Sequence, residues 1–388
     1  MDRESLKYWV ALAAVEDVGC FNFRTLLAAF GSPQAVFSAP ERMLKAVPGI
    51  GPAIADNIHS FSSWKTVEGH LDRAEKVGAE IIVLSDPRYP QNLLNIYDYP
   101  PFLYVRGSLL PDEIGIALVG SRLSSVYGRF TTQNLARELA MKGITIVSGL
   151  ARGIDSAAHQ GALAAKGRTI AVLGTGIDMV YPPENEDLAA AIVKNGALVT
   201  EFPPGTPPNA PNFPARNRII SGISAGVVVV EAGAKSGSLI TARIAAEQGR
   251  SVFAVPGEIG TAGSKGTNHL IKEGATLIEG VDDILEELSP QIAAYQSREK
   301  GDAAPAEPEI RPASDDEKES ALPLPPEKTL SDEEKALFSL LSAGSLDMDA
   351  LLEKSGMPAG VAQGALLTLE LGGLIKRLPG KKFSLKES

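Results

Sequence analysis

The sequence predicts an α/β fold built around a largely parallel sheet, with a helical domain before it and a small domain of helices and a hairpin after it. Apolar, β-branched runs recur between Ile114 and Val230 (IGIALV, ITIV, ALVTEF and AGVVVV). Uninterrupted apolar runs are typical of parallel strands that are covered on both faces. Each run precedes a loop rich in small residues, as expected where strands and helices alternate. We expect these loops to meet at the carboxyl edge of the sheet, where ligands bind in such folds.

The predicted helical domain spans residues 1–85. Its segment VPGIGPAIADNI, Val47 to Ile58, resembles a helix-hairpin-helix motif, in which backbone N–H groups of the turn hold a DNA phosphate. Gly49 and Gly51 permit a tight turn, and Pro52 suits the first turn of the second helix. An earlier segment, VEDVGCFNFRTLLAAF, resembles a degenerate copy of this motif. The surroundings are poor in Lys and Arg, which favours a packing module over a DNA contact.

The other predicted segments are the α/β domain, residues 86–288, an acidic disordered linker, 289–328, and a winged helix, 329–388. The α/β domain opens with FLYVRG, which we expect to be an edge strand. The linker is rich in Pro, Ala, Glu, Asp and Ser and poor in aromatic residues, as disordered tethers are. After it come three helical patterns and IKRLPGKKFSL, which predicts two strands around a Pro-Gly turn. This winged helix would serve either as a DNA reader or as a protein contact.

Composition narrows the class of protein. The 388 residues contain one cysteine, Cys20, which leaves no disulfide framework or zinc cluster and favours the reducing cytoplasm. No apolar run approaches 18 residues, so we expect no membrane association. The net charge of −10 is uneven: residues 113–280 hold 15 Lys and Arg against 13 Asp and Glu, and the acids concentrate in 281–287 and 290–328. Counted by region, the charge therefore leaves a nucleic-acid partner open for the central domain.

Four loops of the α/β domain carry the candidate site: GSR from Gly120, SGLARGID from Ser148, FPARNRIISG from Phe213 and EAGAKSGSLITA from Glu231. Arginine or lysine among small residues at the start of a helix is the pattern of a phosphate site. The candidate phosphate- and DNA-contacting residues are Gly120, Ser121, Arg122, Arg152, Arg216, Arg218, Lys235, Ser236, Gly237 and Ser238.

For several of these residues the sequence leaves alternatives. For Arg152 a phosphate is favoured over an internal ion pair, whereas for Arg216 and Arg218 pairing with Glu201 or Glu231 is an equal alternative. Asp155 has the spacing of a helix N-cap, and His159, four residues later, is expected to pack locally rather than act with it as an acid–base pair. The aromatic residues Tyr127, Phe130 and Phe213 have the chemistry to stack on bases, but core packing is favoured for each.

Other chemistries find little support. The loop GTG at Gly174 does not continue into a dinucleotide fingerprint, and no P-loop sequence is present. The four histidines have no metal-ligand spacing, and there is no GxSxG elbow. We therefore predict no cofactor, no metal and no catalytic residue.

The loop sequences, together with YPPEN, TEFPPGTPP, VFAVPGEIG and GSKGTNHLI, resemble the DNA-processing protein A (DprA/Smf) family almost throughout the α/β domain. The resemblance implies an extended Rossmann-like domain that binds single-stranded DNA, forms a homodimer, and loads the RecA recombinase in natural transformation while displacing single-strand binding protein. It implies that Arg122 and Lys235 contact the strand, with the backbone at Gly120 and Gly237 on phosphates. A helix-hairpin-helix (SAM-like) domain and a winged helix agree with the long form of the family.

An alternative of another class is a nucleotide-processing hydrolase of the lysine-decarboxylase-like (LOG) type, which uses a related fold. Its PGGxGT loop is missing here, and EAGAKSGSLITA stands in its place. A pure protein scaffold is a third possibility, but it would leave Arg122, Arg152 and Lys235 without an anion.

Overall fold

The computed structural model describes residues 1–111, 113–289, 332–342, 346–347, 351, 354–355, 357, 366, 375–378 and 382–385. The chain divides into two compact units, Met1–Ala306 and Glu307–Ser388. The first unit contains the predicted helical and α/β domains. The part of the predicted linker from 290 to 328 lies outside the described residues. No helix in the described part of the chain is long and apolar enough to cross a membrane.

The first unit begins with six helices and continues as a nine-stranded α/β sheet, and its last described element is a helix at 281–289. The helices are α1 (Arg3–Ala13), α2 (Cys20–Phe30), α3 (Pro33–Ser38), α4 (Glu41–Lys45), α5 (Pro52–His59), α6 (Trp64–Lys76), α7 (Val126–Met141), α8 (Ile154–Ala164), α9 (Glu186–Asn195), α10 (Asn212–Ile223), α11 (Ser238–Glu247), α12 (Lys265–Lys272) and α13 (residues 281–289). The strands are β1 (Ala79–Val83), β2 (Phe102–Gly107), β3 (Gly115–Gly120), β4 (Thr145–Ser148), β5 (Thr169–Val172), β6 (Gly196–Thr200), β7 (Ser224–Glu231), β8 (Ser251–Ala254) and β9 (Thr276–Leu277).

The sheet has the strand order β1-β2-β6-β5-β4-β3-β7-β8-β9, and every pair from β6 to β9 is parallel. Successive residues of a strand point to opposite faces, and both faces are covered here. Along β3, Ile116 and Leu118 pack with α7 and α8, whereas Ala117 and Val119 pack with α10 and α11. The predicted α/β class with a parallel sheet is confirmed.

The entry into the sheet differs from the sequence expectation. The segment FLYVRG, β2, lies between β1 and β6 and pairs antiparallel with both, so the prediction of an edge strand is wrong. The edge strand is β1, which lies before the predicted domain boundary at 85. Phe102 and Tyr104 of β2 share one buried core with Trp9, Phe23 and Leu26 of the helical domain. The helical domain therefore packs against the sheet, and the segment predicted to belong to it supplies the edge strand β1.

The two hairpins of the helical domain have matching backbones. Gly49 has φ +84°, and Asp17, the equivalent residue of the degenerate copy, has φ +64°, a left-handed conformation that aspartate tolerates. Gly19 and Gly51 each precede the helix that follows. The base next to the second hairpin, Lys45, is paired with Glu41 and, at 3.2 Å, with Asp56. Its charge is neutralised within the protein, as a packing module requires.

The second unit is described in part. Its helix α14 (Asp332–Ser342) packs through Leu337 and Leu341. Strands β10 (Leu346–Asp347), β11 (Ile375–Leu378) and β12 (Lys382–Leu385) form an antiparallel sheet in the order β10-β12-β11. The helix over DEEKALFSLL and the two predicted strands are confirmed. The turn between those strands and most of the two further predicted helices lie outside the described residues.

Candidate nucleic-acid interface

The carboxyl ends of three adjacent parallel strands bring the candidate loops together. Gly120 ends β3, Ser148 ends β4 and Glu231 ends β7, and β3 lies between the other two strands. Helix α10 follows the loop after β6 and reaches the same edge. A cleft of about 830 Å³ opens there, between the GSR loop, the start of α10 and the start of α11. Of the predicted site residues, it is lined by Gly120, Ser121, Arg122, Arg216, Lys235, Ser236, Gly237 and Ser238.

The GSR loop is held by tight backbone packing. A Cβ on Gly120 would lie 2.6 Å from the Ile154 side chain and 2.8 Å from the Glu231 carbonyl, so only glycine fits. The Ser121 N–H donates to that Glu231 carbonyl at 2.7 Å, and the Ile154 N–H donates to the Ser121 carbonyl at 3.2 Å. The loop is thus fixed between the end of β7 and the start of α8, and the Arg122 side chain projects from it, exposed.

Two exposed cations of the cleft have no carboxylate partner. Arg122 and Lys235 form no ion pair with any residue that the structure describes. The Lys235 loop leads into α11, whose positive dipole end therefore lies at the cleft. Ser236 and Ser238, 2.8 Å apart through their hydroxyls, stand at the same helix start. Arg122, Lys235 and the start of α11 together bring positive charge to one part of the cleft, which is the chemistry that an anion requires.

An aromatic wall lines the cleft beside Arg122. The Phe213 ring packs against Gly174, whose Cβ would lie 2.9 Å from the ring. The guanidinium carbon of Arg122 lies 5.3 Å from the centroid of the Phe213 ring. The centroids of the Tyr181 and Phe213 rings are 5.8 Å apart. Pro208 and Pro214 extend this wall. The sequence did not single out Tyr181, because its loop between β5 and α9 carries no pattern that places it at the cleft.

Arg216 lies in the floor of the cleft and is 4% exposed, so the prediction of a direct DNA contact is not supported by its position. Its Nη1 donates to the Gly149 carbonyl at 2.6 Å and also to the Val172 carbonyl, which joins the ends of β4 and β5. Burial lowers the pKa of Arg216 to about 10, and nearby Asp155 opposes that shift. Arg216 pairs with neither Glu201 nor Glu231 and instead holds the ends of β4 and β5 together from a buried position.

Arg152 and Arg218 lie outside the cleft lining and are ion-paired. The Arg152 Nη2 contacts the Glu184 carboxylate at 3.1 Å, so the internal ion pair that the sequence left as the alternative is present. Arg218 contacts Glu201, the expected alternative, and lies 3.2 Å from Asp98. Carboxylates supplied from distant parts of the chain thus satisfy both cations. A DNA contact by Arg152 or Arg218 stays a prediction.

Asp155 is not a helix N-cap. Helix α8 begins at Ile154, and the Asp155 carboxylate accepts the N–H groups of Gly149 at 3.1 Å and Ala151 at 3.3 Å, so it fixes the preceding loop. Burial raises the pKa of Asp155, and Arg216 opposes the rise. Asp155 is the only carboxylate among the described residues that line the cleft, and these backbone bonds occupy it.

His159 packs in the core, as predicted, with its Nδ1 2.7 Å from the Thr169 hydroxyl. That hydroxyl donates to the Ile146 carbonyl at 2.8 Å, so it accepts from His159, and Nδ1 carries the proton. Burial lowers the pKa of His159 from 6.5 to about 3.

This depressed pKa predicts a pH dependence of stability. Below pH 6.5 the unfolded chain binds a proton at His159 that the folded chain excludes, and this favours unfolding. The stability that the neutral ring contributes is therefore complete above pH 6.5 and is lost as the pH falls towards 3. We expect His159→Gln to reduce the slope of unfolding free energy between pH 7 and pH 5, measured by urea titration. His269→Gln, at an exposed histidine, is the control. Equal slopes in wild type and His159→Gln would contradict the assignment.

The sequence of the chain matches two protein-family models. Residues 80–289, more than half of the chain, match the family model for DNA recombination-mediator protein A. The chain belongs to this family. Residues 321–381 also match the DprA winged helix domain, which confirms the fold class predicted for the C-terminal part.

Individual relatives of the DNA recombination-mediator protein A family extend the match. Protein Smf of Escherichia coli K12 is 42% identical over 326 residues, which cover 84% of this chain and 82% of the relative. DNA processing protein DprA of Bacillus subtilis is 46% identical over 220 residues, 56% of this chain and 74% of the relative. The crystal structure of DNA processing protein A from Streptococcus pneumoniae superposes with a TM-score of 0.59 at 35% identity, and covers 72% of this chain and 96% of that one.

Proposed function

We propose that this chain binds single-stranded DNA in the cleft at the carboxyl edge of its sheet and acts without catalysis. One observation carries the proposal: Arg122 and Lys235, exposed and without a carboxylate partner among the described residues, line the same cleft as the aromatic wall of Phe213 and Tyr181. A single strand presents phosphates and unpaired bases together, and this cleft has a surface for each. The bases of a duplex are paired inside and do not reach such a wall. The relatives named DNA processing protein support a DNA partner.

In this proposal Gly120, Ser121, Ser236, Gly237 and Ser238 bring backbone and hydroxyl donors to the phosphates, and Arg216 and Asp155 hold the floor. Family membership supports a wider role as part of this proposal. As a cytoplasmic homodimer the protein would protect the incoming strand and load RecA on it during natural transformation, displacing single-strand binding protein.

We expect oligo-dT to bind much more tightly than duplex of equal length. Each neutralised phosphate releases counterions, so the logarithm of affinity should fall with the logarithm of salt concentration with a slope of about −1.5 to −3 for two to four phosphates. Fluorescence anisotropy at two salt concentrations measures both effects. Equal affinity for duplex, or binding that salt does not change, would refute the proposal.

The hydrolase alternative has its own test. We expect no release of base from AMP, because the described lining of the cleft offers only Asp155 as a carboxylate and that group is held by backbone N–H groups. Base release that Asp155→Asn abolishes would favour the nucleotide-processing class instead.

A further inference from the structure

The start of helix α7 carries large apolar side chains that face solvent. Tyr127 is 67% exposed and Phe130 is 62% exposed, which overturns the expectation of core packing for both. They are three residues apart and therefore share one face of the helix. Val126 and Leu123 beside them are 75% and 91% exposed. A contiguous apolar patch of this kind marks a binding surface.

This patch, Leu123, Val126, Tyr127 and Phe130, continues from the proposed DNA cleft. A second cavity, of about 870 Å³, is lined by Leu123, Tyr127, Glu231 and the loop from Val255 to Ser264. It shares Ser121, Leu123 and Gly233 with the first cleft, so the two cavities adjoin across the GSR loop. A strand that leaves the cleft past Arg122 therefore meets the patch next.

The charged side chains near the patch are one arginine and two glutamates. Arg129 lies between the two aromatic residues in sequence, and its Nη1 donates to the Ser124 carbonyl at 2.7 Å, which folds the guanidinium back over the loop that follows Arg122. No carboxylate among the described residues pairs with Arg129. The acids nearby are Glu231 and Glu258 of the second cavity. Glu231 accepts the Ser125 hydroxyl at 2.6 Å and the Ser125 N–H at 3.1 Å, at the positive end of α7, which offsets its charge.

We propose that Tyr127 and Phe130 form a second stacking platform, on which bases of the same DNA strand lie after it leaves the cleft, with Arg129 beside its phosphates. The inference rests on the proposed function and adds a second contact to the strand path. Stacking on exposed aromatic rings accepts any base, so the platform extends the bound length without sequence preference.

Oligonucleotide length separates the platform from the cleft. An oligo-dT of about 5 nucleotides occupies the cleft alone, whereas one of about 20 reaches the platform as well. We expect Tyr127→Ala/Phe130→Ala to weaken binding of the long oligonucleotide by about fivefold or more and to leave the short one unchanged. Tyr127→Phe/Phe130→Tyr, which keeps both rings, should bind like wild type. Met141→Ala, at the other end of α7 and 73% exposed, is the matched control.

A long oligonucleotide in which all but about 5 bases are removed, leaving abasic sugars, tests stacking directly. Wild type should bind it as weakly as the double alanine variant binds the intact one. If the double alanine variant bound the long oligonucleotide as tightly as wild type does, the proposed platform would be wrong. If that variant instead lost self-association in sedimentation while DNA binding was unchanged, the patch would be a protein interface. If wild type bound neither length, the proposed function itself would fail.

Discussion

Replacing Arg122 and Lys235 together with alanine should nearly abolish single-strand binding while the fold stays intact. A charge-assisted hydrogen bond to phosphate contributes about 1–3 kcal/mol, so each single variant should lose about 5- to 150-fold in affinity and the double variant about 30-fold or more. Both side chains project from loops into the open cleft and support no core packing. Anisotropy titration with oligo-dT, beside a thermal melt of each variant, measures both effects.

Lys194→Ala is the matched control, because Lys194 is exposed near the end of α9, at the opposite edge of the sheet where β6 begins. It should bind as wild type does. Lys235→Glu should bind more weakly than Lys235→Ala, since it repels the same phosphates. Full affinity of the folded Arg122→Ala/Lys235→Ala variant would place both cations off the DNA path, and the path would then have to run past Arg152 and Arg218.

Arg216→Met should lower stability more than any other arginine substitution at this edge. The change leaves the Gly149 and Val172 carbonyls without their donor and leaves the buried Asp155 without its nearby cation. Removing one partner from a buried charged network costs about 3–5 kcal/mol. The midpoint of thermal unfolding should therefore fall by about 5–15 °C.

Arg152→Met provides the comparison, because its pair with Glu184 is exposed and its loss should change the melting temperature little. Adding Asp155→Asn to Arg216→Met should recover part of the loss, since it removes the unpaired carboxylate. If Arg216→Met melted like wild type, the guanidinium would not hold the ends of β4 and β5 together.

Much of the fold followed from local pattern. The apolar runs of β3 and β7 predicted buried parallel strands, which the sheet confirms. The position of β2 did not follow. Whether a strand lies at an edge depends on its neighbour, and β1, which covers β2, lies before the boundary that composition suggested.

For the candidate site too, the local sequence predicted part of the arrangement and contacts between distant residues decided the rest. A sequence shows that a cation sits in a loop, but an ion pair needs a partner that the chain brings from elsewhere. Glu184 is 32 residues from Arg152, and Glu201 is 17 residues from Arg218. Arg216 belongs to the same motif as Arg218, yet one turns into the cleft floor and the other turns towards Asp98.

The sequence by itself determined the family, the alternation of strands and helices in the α/β domain, and the loops that meet at the carboxyl edge, because these depend on residue type and short-range spacing. The tertiary structure alone decided which cations stay free, which aromatic rings face solvent and which strand closes the sheet. Those properties depend on burial and on partners distant in sequence. Arg122 and Lys235 are left exposed and Tyr127 and Phe130 uncovered only because the packing of α7, α8 and α11 around β3 and β7 uses other residues.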